Sequence, residues 1–345
     1  MNKSDLLKVL NNVTIENNNP KRNKHEKVLL IDGLNLFMRN FAMVNFINES
    51  GNHIGGLSGS LRSLGALIRI IQPTSVYVVF DGLGSSQNRK NLLPEYKSGR
   101  NVNRVTNWDA FENIEEEQDA KISQVIRLIH YLKCLPVKTL SIDKVEADDV
   151  IAHYSSFFKE KHNSTVVIVS NDNDFIQLVN DNVIVYRPSE KEFYDSSSVR
   201  NKFKLLSENF IIYKTLLGDN SDKISGIKGL GEKKLKKYFP ELNLKYVSLE
   251  DIFNICEKRY KEHLIYARIL FEKENIKRNY KIMDLKNPII DDEEKNGLEQ
   301  FAETNIPKLN KKDFMKLYKD DGLNNSIRNV DNWINEIFLE LENIN

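Results

Sequence analysis

Nine acidic residues stand where a folded chain could gather them around a cation. Asp32 and Asp81 each end an apolar run, 27–31 and 76–80, and each is followed by a glycine. Glu146, Asp148 and Asp149 open a helix-like stretch, Asp172 and Asp174 follow the β-branched run 165–169, and Asp219 and Asp222 lie in a turn. One aspartate after a strand is usually a turn residue. Acids at a helix start are usually solvated and are favoured there by the helix dipole. Their recurrence at several strand ends favours one shared site instead. Carboxylates gathered so closely repel one another unless cations bind between them. Hard oxygen ligands of this kind suit Mg²⁺, with Mn²⁺ as a substitute.

Such residues need a scaffold that brings strand ends together. The runs 27–31, 76–80, 137–140, 165–169 and 183–187 read as short buried strands. Between them, Leu57, Leu61, Leu64, Leu67, Ile68 and Ile71 recur at helical spacing until Pro73. A second helix is predicted over 119–134, with Ile122, Val125, Ile126, Ile129 and Leu132 inward, and a short one over 175–179. This alternation predicts an α/β fold, a mostly parallel sheet with helices on both faces. Sites in such sheets form at the carboxyl ends of the strands.

Basic residues are concentrated in two places. Residues 84–107 hold Arg89, Lys90, Lys97, Arg100 and Arg104 against one acid, Glu95, with Tyr96 among them and Trp108 just beyond. An acidic run, 109–119, follows. The bland reading is a solvated excursion; the functional one is a basic arm above the carboxylates, suited to phosphates and base stacking. Lys97 and Arg100 are three apart, the spacing of one helix face. Further on, an apolar helix at 210–217 leads to Gly226, Gly229 and Gly231 with Lys228, then to a helix bearing Lys233, Lys234, Lys236 and Lys237. Glycines let backbone amides approach a phosphate closely, so this stretch reads as a clamp on a DNA backbone.

The chain has 345 residues, enough for two compact units. Hydrophobic residues make up 40% and charged residues 29%, as in a soluble globular protein. The formal charge of +1 hides segregation, because neutralising the carboxylates with metal leaves a basic surface. Cys134 and Cys256 are far apart with no CxxC spacing, which suits a reducing compartment, and the histidines show no ligand spacing. No apolar run reaches membrane-spanning length and no secretory leader is evident, so a cytoplasmic protein with no membrane partner is expected. Residues 1–26 read as a disordered tail. Trp333, Ile334, Ile337, Phe338 and Leu341 form a helical stripe expected to pack on the core.

The series IDG at 31–33, VFDG at 79–82, EYKSGR at 95–100, VEADD at 145–149, SNDND at 170–174, GDNSD at 218–222 and GIKGLG at 226–231 resembles the flap endonuclease and 5'→3' exonuclease family. The likeness covers about 27–240 in order. A looser one points to the T-even phage ribonuclease H branch. The resemblance implies a PIN-like nuclease domain at 27–206 with a helical arch at about 84–118. It implies a helix–three-turn–helix and a helical C-terminal region at 207–345, with K⁺ at the former. It implies hydrolysis with two metal ions at 5' ends of flaps, nicks or RNA-primed duplexes, including ribonuclease H-type activity, in phage-type replication and in the host cytoplasm. On that resemblance Asp32, Asp81, Glu146 and Asp148 belong to one metal, and Asp149, Asp172, Asp174 and Asp222 to the other, with Asp219 nearby. Lys97 and Arg100 would approach the scissile phosphate. Arg89, Tyr96, Gly226, Gly229, Gly231, Lys228, Lys233 and Lys234 would contact DNA. A monomer working beside a single-stranded-DNA-binding protein and a sliding clamp is expected. Two rivals remain: a structure-specific DNA-binding module without catalysis, and a HAD-type phosphatase. The phosphatase needs DxD after its first strand, where this chain has Asp32-Gly33-Leu34.

Overall fold

A computed structural model describes residues 23–99, 105–323 and 326–344. The first half of the chain runs β1 (Lys27–Asp32), α1 (Gly33–Met43), α2 (Gly55–Ile71), β2 (Ser75–Val79), α3 (Gln87–Leu92), α4 (Ile114–Leu132), β3 (Lys138–Leu140), α5 (Ala147–His162) and β4 (Thr165–Val169). A 3₁₀ turn (Asp174–Leu178), β5 (Val183–Arg187), β6 (Glu192–Tyr194) and α6 (Ser196–Phe203) follow. The strands form one sheet in the order β3-β2-β1-β4-β5-β6. All neighbours are parallel except β6, which runs antiparallel to β5. The mostly parallel α/β sheet is therefore as expected. The edge strand β6 was not legible, because three residues are too few to display a period.

Alternate residues of each strand feed two separate cores. Val28, Leu30, Tyr77, Val79, Val166, Ile168, Val183 and Val185 face one way, against α5. Leu29, Ile31, Val76, Val78, Val167, Val169 and Ile184 face the other, against α1, α2 and α4. Burial on both faces is why these strands read as unbroken apolar runs rather than as alternating ones.

The second half continues with α7 (Phe210–Leu217), the two-residue strands β7 (Gly218–Asp219) and β8 (Ile224–Ser225), α8 (Glu232–Tyr238), α9 (Leu249–Arg259), α10 (Leu264–Phe271), α11 (Lys273–Met283) and α12 (Asp292–Glu303). Its apolar residues join the core on the α5 side. The chain then crosses below the edge strand β3. There Lys138 donates to the carbonyls of Phe301, Ala302 and Thr304, and Asn310 N–H donates to Cys134. Beyond the crossing, α13 (Lys311–Asp320) and α14 (Val330–Glu342) complete the opposite core. Trp333, Ile334, Ile337, Phe338 and Leu341 are buried there, as their stripe predicts. Gly65 of α2 makes room for the Trp333 ring: a β-carbon at that position would lie 2.6 Å from it.

One expectation needs correction, and two fall only partly on the described residues. Helix α4 begins at Ile114, inside the supposed solvated acidic run, and Ile122 and Ile126 are exposed while Gln124, Leu128 and Tyr131 are buried. Its register follows Glu117, which is fully buried and accepts hydrogen bonds from the N–H groups of Thr106 and Asn107 and from the Lys121 ammonium. The tail expected at 1–26 lies outside the described residues up to 22. Residues 23–26 are held: Lys24 donates to the carbonyls of Glu303 and Thr304, and His25 is buried. Of the arch expected at 84–118, residues 100–104 lie outside the described residues, and the rest comprises α3, a turn at 94–99, the segment 105–113 and the first turn of α4. Among the described residues no helix is long and apolar enough to cross a membrane.

Candidate active site

Five elements deliver acids to the carboxyl edge of the sheet. Register sets Asp32 beside Val79, the last residue of β2, and Ile31 beside Val169, the last of β4. Asp32 caps α1, accepting Asn35 N–H at 2.9 Å through Oδ1 and Ser170 Oγ–H at 3.1 Å through Oδ2. Asp81 accepts the Ala147 N–H at 2.9 Å and so fixes the start of α5. Glu146 is the residue before that helix, and Asp148 and Asp149 sit in its first turn. Asp172 accepts Asp174 N–H at 2.8 Å in the loop after β4. Asp219 and Asp222 come from the β7–β8 hairpin. Glu146, Asp148, Asp174 and Asp222 line one small cavity with Arg89 and Tyr96. The expected acids therefore converge.

Their proximity is visible in their acidities. Burial raises Asp32 to about 7, and Asp81 and Asp172 push the same way. Burial also raises Asp174 to about 7, aided by Asp172. Asp148 is raised well above its ordinary value by burial and then by Asp172 and Asp32. An oxygen-only donor set that resists ionising is what a hard divalent cation relieves. Asp174 Oδ1 adds a specific sign of fit. It is buried and makes no hydrogen bond of proper geometry, although Lys214 Nζ lies 2.6 Å away.

Three cations hold the cluster together, in roles only partly expected. Arg89 lies beneath it, 3% exposed, with Asp149 at 2.5 and 3.0 Å and Glu146 at 3.1 Å. It also donates to the Ile282 carbonyl at the end of α11. Tyr96 is as deeply buried and donates to Glu146 at 3.1 Å. The reading of Arg89 and Tyr96 as DNA contacts is thus corrected: both are buried and spend their polar groups on the carboxylates. Asp149 is corrected too. Its oxygens receive Arg89 and the Ile289 N–H, which makes it the anchor of Arg89 rather than an open donor.

Lys97 Nζ lies 2.9 Å from Glu146 Oε1, and its own N–H donates to the Asp222 carbonyl. Burial opposes its charge, but Glu146 and Asp148 hold its pKa above the ordinary value. Lys97 sits in a turn with φ +54° rather than on a helix, so the shared-face argument for Lys97 and Arg100 fails; Arg100 itself lies outside the described residues. Lys214 was missed altogether. It rises from α7 between Asp174 at 2.6 Å and Asp219 at 2.5 Å, and it draws Asp219 down to about 2 against the pull of burial. The available signal was a lone cation in the apolar helix FIIYKTLL, since a buried charge needs a partner.

The glycine stretch divides in two. Gly226 serves packing: a β-carbon there would fall 2.1 Å from the Leu217 carbonyl, so the phosphate reading of this glycine gives way to a backbone crossing. Gly229 (φ +83°) and Gly231 are solvent-facing, as are Lys228, Lys233 and Lys234. Lys234 donates to the Gly229 carbonyl at 2.9 Å, and Arg268 of α10 donates to that of Lys228 at 2.8 Å, bracing the turn.

Residues 27–204 match the family model of the 5'-3' exonuclease N-terminal resolvase-like domain. A 5'-3' exonuclease of Buchnera aphidicola subsp. Acyrthosiphon pisum (strain APS) is 28% identical over 236 residues, covering 68% of this chain and 76% of that protein. A 5'-3' exonuclease of Bacillus subtilis (strain 168) is 31% identical over 232 residues, 63% of this chain and 71% of the other. In structure the chain is similar to a bacteriophage T5 flap endonuclease solved as a pseudo-enzyme-product complex with DNA and metal ions. The TM-score is 0.63 at 20% identity, over 85% of this chain and 100% of that one, a likeness of fold.

Removing Arg89 leaves Glu146 and Asp149 buried without their cation. Arg89→Met is expected to cost about 3–5 kcal/mol, the scale of a broken buried ion pair, read as a lowered urea midpoint at pH 7. The raised carboxylates set a pH dependence of opposite sign to the usual one. Asp32 and Asp174 keep protons in the folded state up to about 7, whereas an unfolded aspartate loses its own near its ordinary value. The folded state binds more protons between those limits, so stability falls as pH rises from about 4 to about 7. Melting of the protein in EDTA should show this decline, shallower in Asp32→Asn.

Proposed function

The chain belongs to the 5'-3' exonuclease family, and from that premise we propose that it is a divalent-metal-dependent 5' nuclease. It hydrolyses phosphodiester bonds at the 5' ends of flaps, nicked duplexes or RNA-primed DNA. The observation that carries the reading is the cluster of mutually repelling carboxylates at the sheet edge, crossed by Lys97 and Lys214. Asp32, Asp81, Glu146, Asp148, Asp172, Asp174, Asp219 and Asp222 form the set from which two Mg²⁺ ions would draw ligands, some through water. When bound, such ions lower the pKa of a coordinated water and offset charge on the phosphate.

The chain's own residues have distinct tasks. Asp81 fixes the start of α5 and thus the position of Asp148. Lys214 keeps Asp174 and Asp219 together. Lys97 has Glu146 as its present partner; a scissile phosphate would draw it across the cluster to the charge that develops in the transition state. Lys228, Lys233 and Lys234 offer exposed charge to a duplex backbone without reading sequence. RNA primer removal and lagging-strand maturation in phage-type replication, beside a single-stranded-DNA-binding protein and a sliding clamp, fit this substrate class.

The test is a 5'-labelled flap duplex incubated with Mg²⁺ or with EDTA. Cleavage is expected with Mg²⁺ alone, and Asp81→Asn and Asp174→Asn should each abolish most of it with the fold intact. An uncleaved flap that is nevertheless bound would make the chain a DNA-binding module without catalysis. A second measurement isolates Lys97. With saturating DNA, Lys97→Ala should lower the single-turnover rate by roughly a hundredfold or more, the scale of one lost transition-state donor. Equilibrium binding in Ca²⁺ should change far less. A large loss of affinity at an unchanged rate would reduce Lys97 to a binding residue.

A further inference from the structure

At the opposite end of the sheet, three elements converge on a second group of ionisable side chains. His25 lies two residues before β1, His162 ends α5 and Glu303 ends α12. Neighbouring contacts hold the three ends in place. The His25 carbonyl accepts Ser164 Oγ–H, Thr165 N–H donates to the Glu26 carbonyl, and Lys24 donates to the Glu303 and Thr304 carbonyls. The six residues of β1 separate this place from the carboxylate cluster, roughly 17 Å at the rise of a strand.

The side chains point inward at one another. His25 Nε2 lies 3.3 Å from Glu303 Oε2, and His162 Nε2 lies 3.0 Å from Glu303 Oε1. The two imidazoles stack with centroids 3.9 Å apart. One ligand atom from each residue can be chosen so that all three lie within 4.8 Å of one another, an arrangement found nowhere else among the described residues. Tetrahedral Zn²⁺ with bonds of about 2.0–2.1 Å spaces its ligand atoms about 3.3 Å apart, close to the separations here. The plain alternative is a carboxylate hydrogen-bonded to two imidazoles and to Lys161 at 2.8 Å. That arrangement stacks two groups that cannot both carry charge at little cost.

We propose that His25, His162 and Glu303 form a second cation site, for a borderline transition ion such as Zn²⁺, that ties the start of β1 to the ends of α5 and α12. Two nitrogens and one carboxylate are a donor set for zinc, cobalt or nickel rather than for Mg²⁺. Lys161 is half-exposed and swings to solvent when the dication takes its place on Glu303. Water completes the coordination on the side where Glu303 is 38% exposed. The role is structural, and it does not depend on the nuclease reading.

Cobalt(II) is the probe, because four-coordinate cobalt absorbs visible light strongly and an octahedral all-oxygen site does so weakly. One equivalent of Co²⁺ added to the full chain at neutral pH should give the intense spectrum, and Zn²⁺ should displace it and raise the melting temperature. Glu303→Gln and His162→Ala should lose both effects. Their affinity should drop by more than the roughly 10–100-fold typical of a lost outer partner. Asp172→Asn combined with Asp174→Asn should keep them. Melting in EDTA shows that each variant is folded; if His162→Ala is not, Glu303→Gln decides. A weak octahedral spectrum alone, no binding, or an intense spectrum that survives Glu303→Gln and vanishes in the Asp172/Asp174 double variant would overturn the proposal.

Discussion

The repulsion among carboxylates at the sheet edge is the constraint on which the rest of the architecture turns. Left alone, Asp32, Asp148 and Asp174 would keep their protons or drive the edge apart, as their raised pKa values indicate. Arg89 from below, Lys97 from one side and Lys214 from the other offset that repulsion. Each cation comes from a different part of the chain: α3, the turn after it, and α7. Fixing the charges therefore fixes the elements. A buried pair such as Arg89 with Asp149 adds little net stability over an apolar pair. It does specify where α3 sits on α5.

The second half of the molecule is bound to the first by the same economy of polar contacts. Arg89 reaches the Ile282 carbonyl, Gln177 bridges the Met283 carbonyl and the Leu285 N–H, and Asn279 donates to the Ser225 carbonyl of the hairpin. Gly226 lets that hairpin cross the end of α7 at van der Waals limits. The exposed lysines of the glycine turn are consequently held in a fixed relation to the carboxylates, as a nuclease that measures from a duplex to a strand end would need.

Much of this was legible in the amino-acid sequence, for a physical reason. Strands buried on both faces read as apolar runs, and an acid placed after such a run must lie at the sheet's carboxyl edge, whatever follows. Asp32, Asp81, Asp172 and Asp174 could be positioned by that argument alone. Arg89 and Tyr96 could not, because a basic, aromatic segment looks the same whether it faces solvent or folds under its neighbours; which it does depends on Asp149, sixty positions away. Helix α4 misled through Ile122 and Ile126: apolar residues normally mark the inner face, but here Glu117 buries its carboxylate to hold a loop, and the helix turns to accommodate it. His25, His162 and Glu303 have no local spacing at all. Only the convergence of three element ends brings them together.

The crossing beneath β3 has a consequence for synthesis on the ribosome. The sheet's α2 face is closed by Phe314, Tyr318, Trp333 and Phe338, which emerge some two hundred and fifty positions or more after Leu61 and Leu64, the residues that wait for them. The six strands of the sheet, in contrast, are all complete by Tyr194. Between the synthesis of β6 and that of α14 the nascent chain can carry the sheet with part of its α2 side uncovered, the condition in which chains associate with one another or with a chaperone. The notch at Gly65 stays empty until the indole arrives. The two faces of this sheet thus mature at different times, and the order in which they do so is written into the route of the chain.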